Sequence, residues 1–273
     1  MKKITLFLFM VSFIALNCFA QPAVKLKKTL ELKMPKTIDD EMPGTRGAAV
    51  AWHPLQKKYY AVFAGNMGYP LAVFDAKATR ISGDEQTAMI DTRGLWYNPT
   101  TNKITGNAYN NYGWFTYKIG TNGLATDYES IAEGMFQPNM QSVGVYNPIE
   151  KRVLFLNGSM IMQYNANREA VDSSTVIHWG RKKAEGAMPG EDMYMTPEEY
   201  NTTPVYTGIK GRELGFINIT NKQIELYDAK TGFLTSMLAL PEDVATEPFF
   251  NFAYANNIYW LFDIKNRTWI GYK

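Results

Sequence analysis

Five times along this 273-residue chain a strand-like run ends on an aromatic residue followed by a polar or charged step: Phe74-Asp75-Ala76-Lys77, Tyr117-Lys118, Tyr164-Asn165-Ala166, Tyr227-Asp228-Ala229-Lys230 and Tyr272-Lys273. The aromatics are spaced by 43, 47, 63 and 45 residues, and the last nearly ends the chain. A strand-built repeat of this length is satisfied by packing copies around an axis. The spacing therefore predicts an all-β chain, a five-bladed β-propeller of four-stranded antiparallel blades.

Each repeat resolves into short runs rich in aromatic and β-branched residues and bounded by Pro, Asn and Gly, as antiparallel meanders require. Blade one reads as 47–52, a His53-Pro54 turn, 59–64, a Gly/Asn loop and 71–74. Blade two reads as 94–97, Asn98-Pro99, 103–109 and 114–118; blade three as 143–146, Asn147-Pro148, 152–156 and 160–164. Blade four is represented by 213–219 and 223–227, with 236–240 as its last strand, and blade five by 249–254, 258–262 and 269–272. Small residues in the leading strands, among them Ala48, Ala49, Ala51, Gly94 and Gly144, suit strands that converge on an axis.

Blade five lacks a fourth strand, and its missing piece is expected at the other terminus. Leu30-Glu31-Leu32-Lys33-Met34-Pro35 matches Ser236-Met237-Leu238-Ala239-Leu240-Pro241 in apolar alternation, and acidic residues follow both, Asp39-Asp40 and Glu242-Asp243. The run 30–34 is thus predicted to pair with 269–272 and close the ring, hiding edges that would otherwise aggregate. The alternative is a free arm. The extra length before Tyr227 falls at 179–203, where glycines and charges surround a capping-box pattern, Thr196-Pro197-Glu198-Glu199. Such a pattern predicts an excursion with one helical turn over one face of the disc. Its 25 residues are too few for a degenerate sixth blade.

Residues 1–20 read differently. Lys2 and Lys3 precede an apolar run, 4–16, and Asn17-Cys18-Phe19-Ala20 offers a small residue for cleavage before Gln21. This is the pattern of a secretory signal peptide, leaving 21–273 as a single propeller domain, secreted or periplasmic. Cys18 leaves open a lipoprotein anchored there, although Leu16-Asn17 departs from the small residues such a signal carries. Without Lys2 and Lys3 the chain has 26 basic and 26 acidic residues. That balance argues against nucleic acid or an anionic membrane as partner, and no later segment is apolar enough to cross a bilayer.

In a propeller, the loops entering the inner strands and those joining second to third strands share one face, around the mouth of the central channel. Thr45-Arg46-Gly47 and Thr92-Arg93-Gly94 recur there, 47 residues apart. Arg46 and Arg93 are candidates for clamping a carboxylate, sulfate or phosphate by bidentate hydrogen bonds. The competing reading is that each ties its blade to the next through Asp91 or another acid. The second-to-third loops add Asn66, Met67 and Tyr69 in blade one, Asn110, Asn111, Tyr112 and Trp114 in blade two, and Asn157 and Ser159 in blade three. Amides beside aromatic faces suit a sugar ring, though the same residues also make tight turns and blade core. The ligand-binding set read from the sequence is Arg46, Arg93, Asn66, Tyr69, Asn110, Asn111, Tyr112 and Trp114.

Signatures of catalysis are sparse. Five-bladed glycosidases need paired carboxylates on inner strands, and 48–52, 94–97 and 143–146 contain no acid. Asp91, Glu133, Glu213 and Glu247 are scattered near strand starts. His53 and His178 lack metal-ligand spacing, and neither a nucleophile elbow nor a Walker-type loop occurs, so no metal and no cofactor are expected. Through its Asn-Pro inner turns and Tyr-Asp-Ala-Lys strand ends the chain resembles secreted bacterial β-propellers in general, a resemblance that implies the fold and no particular function. The function expected is non-catalytic binding of a glycan or anionic small molecule at the channel mouth. A glycan hydrolase or lyase using Glu133, Glu247 or Asp91 is one alternative. An envelope scaffold that docks a protein partner through 179–203 is the other.

Overall fold

The computed structural model describes residues 23–35, 46–65, 71–83, 90–187 and 195–273. The expected signal segment with Cys18, and the candidate site residues Asn66 and Tyr69, lie outside them. Among the described residues no helix is long and apolar enough to cross a membrane.

Five antiparallel sheets form the ring. Blade one pairs Arg46–His53, Lys58–Ala64 and Ala72–Asp75 in that order. Blade two orders Thr92–Asn98, Lys103–Ala108, Trp114–Ile119 and Ala125–Ala132. Blade three follows with Val145–Asn147, Arg152–Asn157, Met160–Tyr164 and Ala170–Val176. Blade four has Val205–Tyr206, Leu214–Asn218, Gln223–Tyr227 and Leu234–Ala239. In blade five, Phe252–Ala255, Ile258–Asp263 and Thr268–Tyr272 are joined by Lys28–Lys33 from the N-terminal side. Inner strands of consecutive blades touch all the way round, blade five against blade one included.

The closure expected from the apolar alternation is present. Leu30 pairs with Gly271, Leu32 with Trp269 and Lys33 with Thr268. Leu32 is fully buried in one cluster with Trp260, Phe262 and Trp269. Just upstream, Val24–Lys25 runs parallel to Leu238 and Ala239 on the outer edge of blade four. Lys27 and Lys273 then exchange backbone hydrogen bonds at 2.9 Å. One N-terminal segment therefore completes blade five and staples it to blade four.

Strand alternation sends one set of side chains into each seam between blades. Tyr60, Phe115 and Tyr117 fill the seam of blades one and two, and Trp96, Trp114 and Phe155 that of blades two and three. Leu154, Phe216 and Tyr227 fill the next, and Ile217, Phe252 and Tyr259 the seam of blades four and five. Each large apolar side chain so buried contributes about 1.5–3 kcal/mol. Near the axis the strands are too close for bulk. A Cβ on Gly94 would collide with the backbone of Gly144, and one on Gly47 would meet Trp269 and Phe262.

Two elements differ from the pattern. The innermost strand of blade four is only Val205–Tyr206, too short to show a period, so 214–218 is the second strand of that blade. Among the described residues of the excursion the helical turn is a 3-10 turn at Lys183–Glu185, and 196–199 is not helical. There Tyr200 bonds back to Pro197, and Asn201 then donates to Ile217, which ends any helix. The described parts of the excursion are sewn down. Trp179 Nε1 donates to Ser159 Oγ at 2.8 Å, and Thr196 Oγ1 donates to the Gly158 carbonyl at 2.7 Å. Trp179 and Tyr200 pack on Phe216 and Tyr227. Through these anchors the described parts of 179–203 pack into the seam of blades three and four.

Candidate functional site

The end at which the inner strands are entered is here the upper face. Arg93 is 3% exposed. Its guanidinium bonds both oxygens of Asp91, with Nη2 to Oδ2 at 3.1 Å, and its Nε donates to Gln141 Oε1 at 2.8 Å. Asp91 also accepts the Gly65 amide at 2.9 Å. Arg46 Nη1 reaches Glu247 Oε2 at 3.3 Å, and its guanidinium lies 4.3 Å from the Phe249 ring centre. The two arginines lie against the consecutive rings of Phe249 and Phe250, and each already has a carboxylate partner. Their bonds tie blade two to the lead-in of blade three and blade one to the lead-in of blade five. Neither offers an uncompensated charge to an anion.

Phe250 closes the upper end of the axis. Phe250 and Asn251 are consecutive left-handed residues, φ 53° and 59°. For phenylalanine this conformation costs about 1–2 kcal/mol and persists only where neighbours over-determine it. Here Asn201 Nδ2 donates to the Phe250 carbonyl at 2.9 Å, and the Phe250 amide donates to Thr203 Oγ1 at 2.8 Å. Asn251 and Gly47 exchange two bonds, of 2.8 Å and 2.7 Å. The ring, entering from blade five, comes to lie 5.4 Å from the Arg93 guanidinium of blade two. Those blades are not neighbours in the ring, so Phe250 spans the axis.

Beside this plug lies a cavity of about 420 Å³, walled by Asn139, Gln141, Ser142, Asn157, Thr202 and Phe249 among others. None of its described lining residues is charged. The Asn139–Ser142 turn is fixed by the Asn139 amide on Ser142 Oγ (3.1 Å) and the Gln141 amide on Asn139 Oδ1 (2.9 Å). Because Arg93 holds Oε1 of Gln141, the Gln141 amino group is the end available to a ligand. Phe249 is 43% exposed with Arg46 against its ring. The wall thus combines amides and hydroxyls with one aromatic face.

The other residues expected at the site are placed differently. Asn110, Asn111 and Tyr112 form a 3-10 turn on the upper rim of blade two and do not line the cavity. They brace the loop that does: the Asn110 amide donates to Met140, and the Asn111 carbonyl accepts from Gly134. Trp114 is not a stacking surface. It is 4% exposed, edge-on to Trp96 at 6.0 Å, with Nε1 donating to the Phe136 carbonyl, because it sits on the strand face that fills the seam of blades two and three. Asn139, Gln141, Thr202 and Phe249 come from connections between blades, where no periodic signal points at them.

No protein-family model matches the chain, and no curated sequence is significantly similar to it. Among solved structures, the chain is similar to an auxiliary nutrient binding protein from Bacteroides thetaiotaomicron, at 10% identity and TM-score 0.44, over 83% of this chain and 59% of that one. Another such protein, from Bacteroides ovatus, is 14% identical with TM-score 0.42, over 83% and 58% of the two chains. A chain of a nidogen/laminin complex is 9% identical with TM-score 0.40, over 71% and 63%. The chain spans about three fifths of the length of these proteins. At such identities nothing about a ligand passes from them to this chain.

Proposed function

We propose that the protein is an exported, non-catalytic binding module that holds a neutral sugar ring in the upper cavity. The observation that carries this reading is the wall itself: side-chain amides and hydroxyls beside a half-exposed phenylalanine, with no charged lining residue among those described. Hydroxyls at a sugar's rim ask for amide and hydroxyl partners, and its C–H faces ask for an aromatic ring. An anionic ligand would be buried there without a compensating charge, which is unfavourable. Its volume of about 420 Å³ lies in the usual range for small-ligand sites. Export rests on the 1–20 pattern. The hydrolase alternative is weakened because Asp91 and Glu247 are each engaged by an arginine.

Calorimetric titration of residues 21–273 with neutral, uronic and sulfated oligosaccharides tests the reading. A neutral saccharide should bind saturably, and Gln141→Ala or Phe249→Ala should each weaken it tenfold or more. Failure of every neutral saccharide, or preference for the charged ones, overturns it.

A further inference from the structure

The opposite end of the axis is a different chemical environment. A channel of about 430 Å³, walled by the inner strands of all five blades, opens on the lower face, where the first hairpins turn. Each blade places an aromatic at an equivalent position in it, Trp52, Tyr97, Tyr146, Tyr206 and Tyr254, and blades two and five add Trp96 and Phe252. The register of the first five is equivalent, facing Tyr59, Ile104, Val153, Leu214 and Tyr259 just ahead of the hairpin turn. All five are partly exposed, whereas neighbouring Trp96 and Phe252 are buried.

The rings are held in place. Trp52 packs on Tyr59 at 4.4 Å, Tyr97 on His53 at 4.9 Å and Tyr254 on Tyr259 at 4.9 Å, while Tyr146 stacks on Trp96 at 12°. Polar groups at the rim are spent locally. Tyr97 donates to Asn102 Oδ1, Tyr254 to Asn257 Oδ1, Thr207 Oγ1 to the Arg212 carbonyl, and Asn256 Nδ2 to Tyr59 Oη. No described lining residue is charged. Apart from Thr207 and Asn256 at the rim, the rest of the wall is apolar, with Trp96 and Phe252 among alanine, valine, leucine, glycine and proline, and Phe250 lies outside it at the upper end.

We propose that this channel is a second binding site, separate from the upper cavity, for one uncharged, ring-bearing apolar small molecule. A charged group would be buried there without a partner, and a sugar would find few hydrogen-bonding groups not already engaged. A flat apolar ring gains from stacking against aromatics already held in place, with little ordering of side chains on binding.

The probe is 1-naphthol, compared with 1-naphthoate and maltose, read by quenching of tryptophan fluorescence in residues 21–273. Naphthol should bind saturably with one-to-one stoichiometry, at least tenfold tighter than naphthoate, and saturating maltose should not displace it. Tyr146→Ser should weaken naphthol at least tenfold, and Val145→Trp, which fills the channel, should abolish binding. Phe249→Ala and Gln141→Ala should leave it unchanged, so failure of the sugar reading does not carry this one with it. If Tyr146→Ser fails to melt cooperatively, Val145→Trp decides. Absence of saturable binding, equal affinity for naphthoate, displacement by maltose, or indifference to Val145→Trp would each overturn the proposal.

Discussion

Replacing Arg93 by methionine separates a structural arginine from a ligand clamp. In the fold, Arg93 is 3% exposed and holds Asp91 through two bonds, Gln141 through one and the Thr92 carbonyl through another at 3.1 Å. Methionine keeps much of the side-chain volume but leaves a carboxylate that is itself 8% exposed at residue level, with the Gly65 amide as its remaining described partner. Breaking a buried pair by removing one partner costs about 3–5 kcal/mol. At about 2–4 °C per kcal/mol for a chain of this size, the melting temperature should fall by roughly 6–20 °C. Replacing both partners, Arg93→Met with Asp91→Leu, removes the stranded charge and should recover at least half of that loss. The assay is thermal unfolding followed by circular dichroism on all four members of the cycle. A melting temperature unchanged in Arg93→Met, together with lost binding of an anionic ligand, would refute the structural assignment.

Glu225 is 2% exposed and accepts from Tyr200 (2.9 Å), Tyr227 (2.5 Å), Gln223 (2.8 Å) and Asn218 (3.1 Å). Glu225→Leu strands these donors and should destabilise by about 3–5 kcal/mol in urea unfolding, with Glu225→Gln intermediate. Leu32→Ala opens a cavity among Trp260, Phe262 and Trp269 and should cost about 2–5 kcal/mol; deleting 23–35 should also expose the Thr268–Tyr272 edge and produce aggregates in light scattering. Burial, with nearby carboxylates adding, raises Tyr206 and Tyr272 to about 12, against about 10 in the unfolded chain. The neutral phenol is the form the fold favours, so stability should be level below about pH 10 and fall as pH rises through about 12. Urea midpoints at about pH 9 and about pH 11 check this, and equal midpoints would contradict it.

Much of the fold was legible because its signals are local and periodic. Phe74, Tyr117, Tyr164, Tyr227 and Tyr272 mark the third strand of every blade. The 30–34 alternation announced its partner because a half-buried strand must place alternate side chains in a core. Blade four's two-residue inner strand carried no such signal. Asn157 was legible as a turn residue of blade three, and it does line the upper cavity.

The sequence by itself pointed to the number of blades, the order of the leading strands outside blade four and the terminus that closes the ring, since each follows from side-chain period and turn chemistry along neighbouring residues. Only the tertiary structure decided what the two arginines do. Asp91 lies two residues from Arg93, but Glu247 lies 201 residues from Arg46, and only a closed ring brings it near. The same closure gathers Asn139, Asn157, Thr202 and Phe249 around one cavity, and aromatics from all five inner strands around the other. Contacts between distant loops depend on how the blades turn about the axis, and no local pattern of burial encodes that.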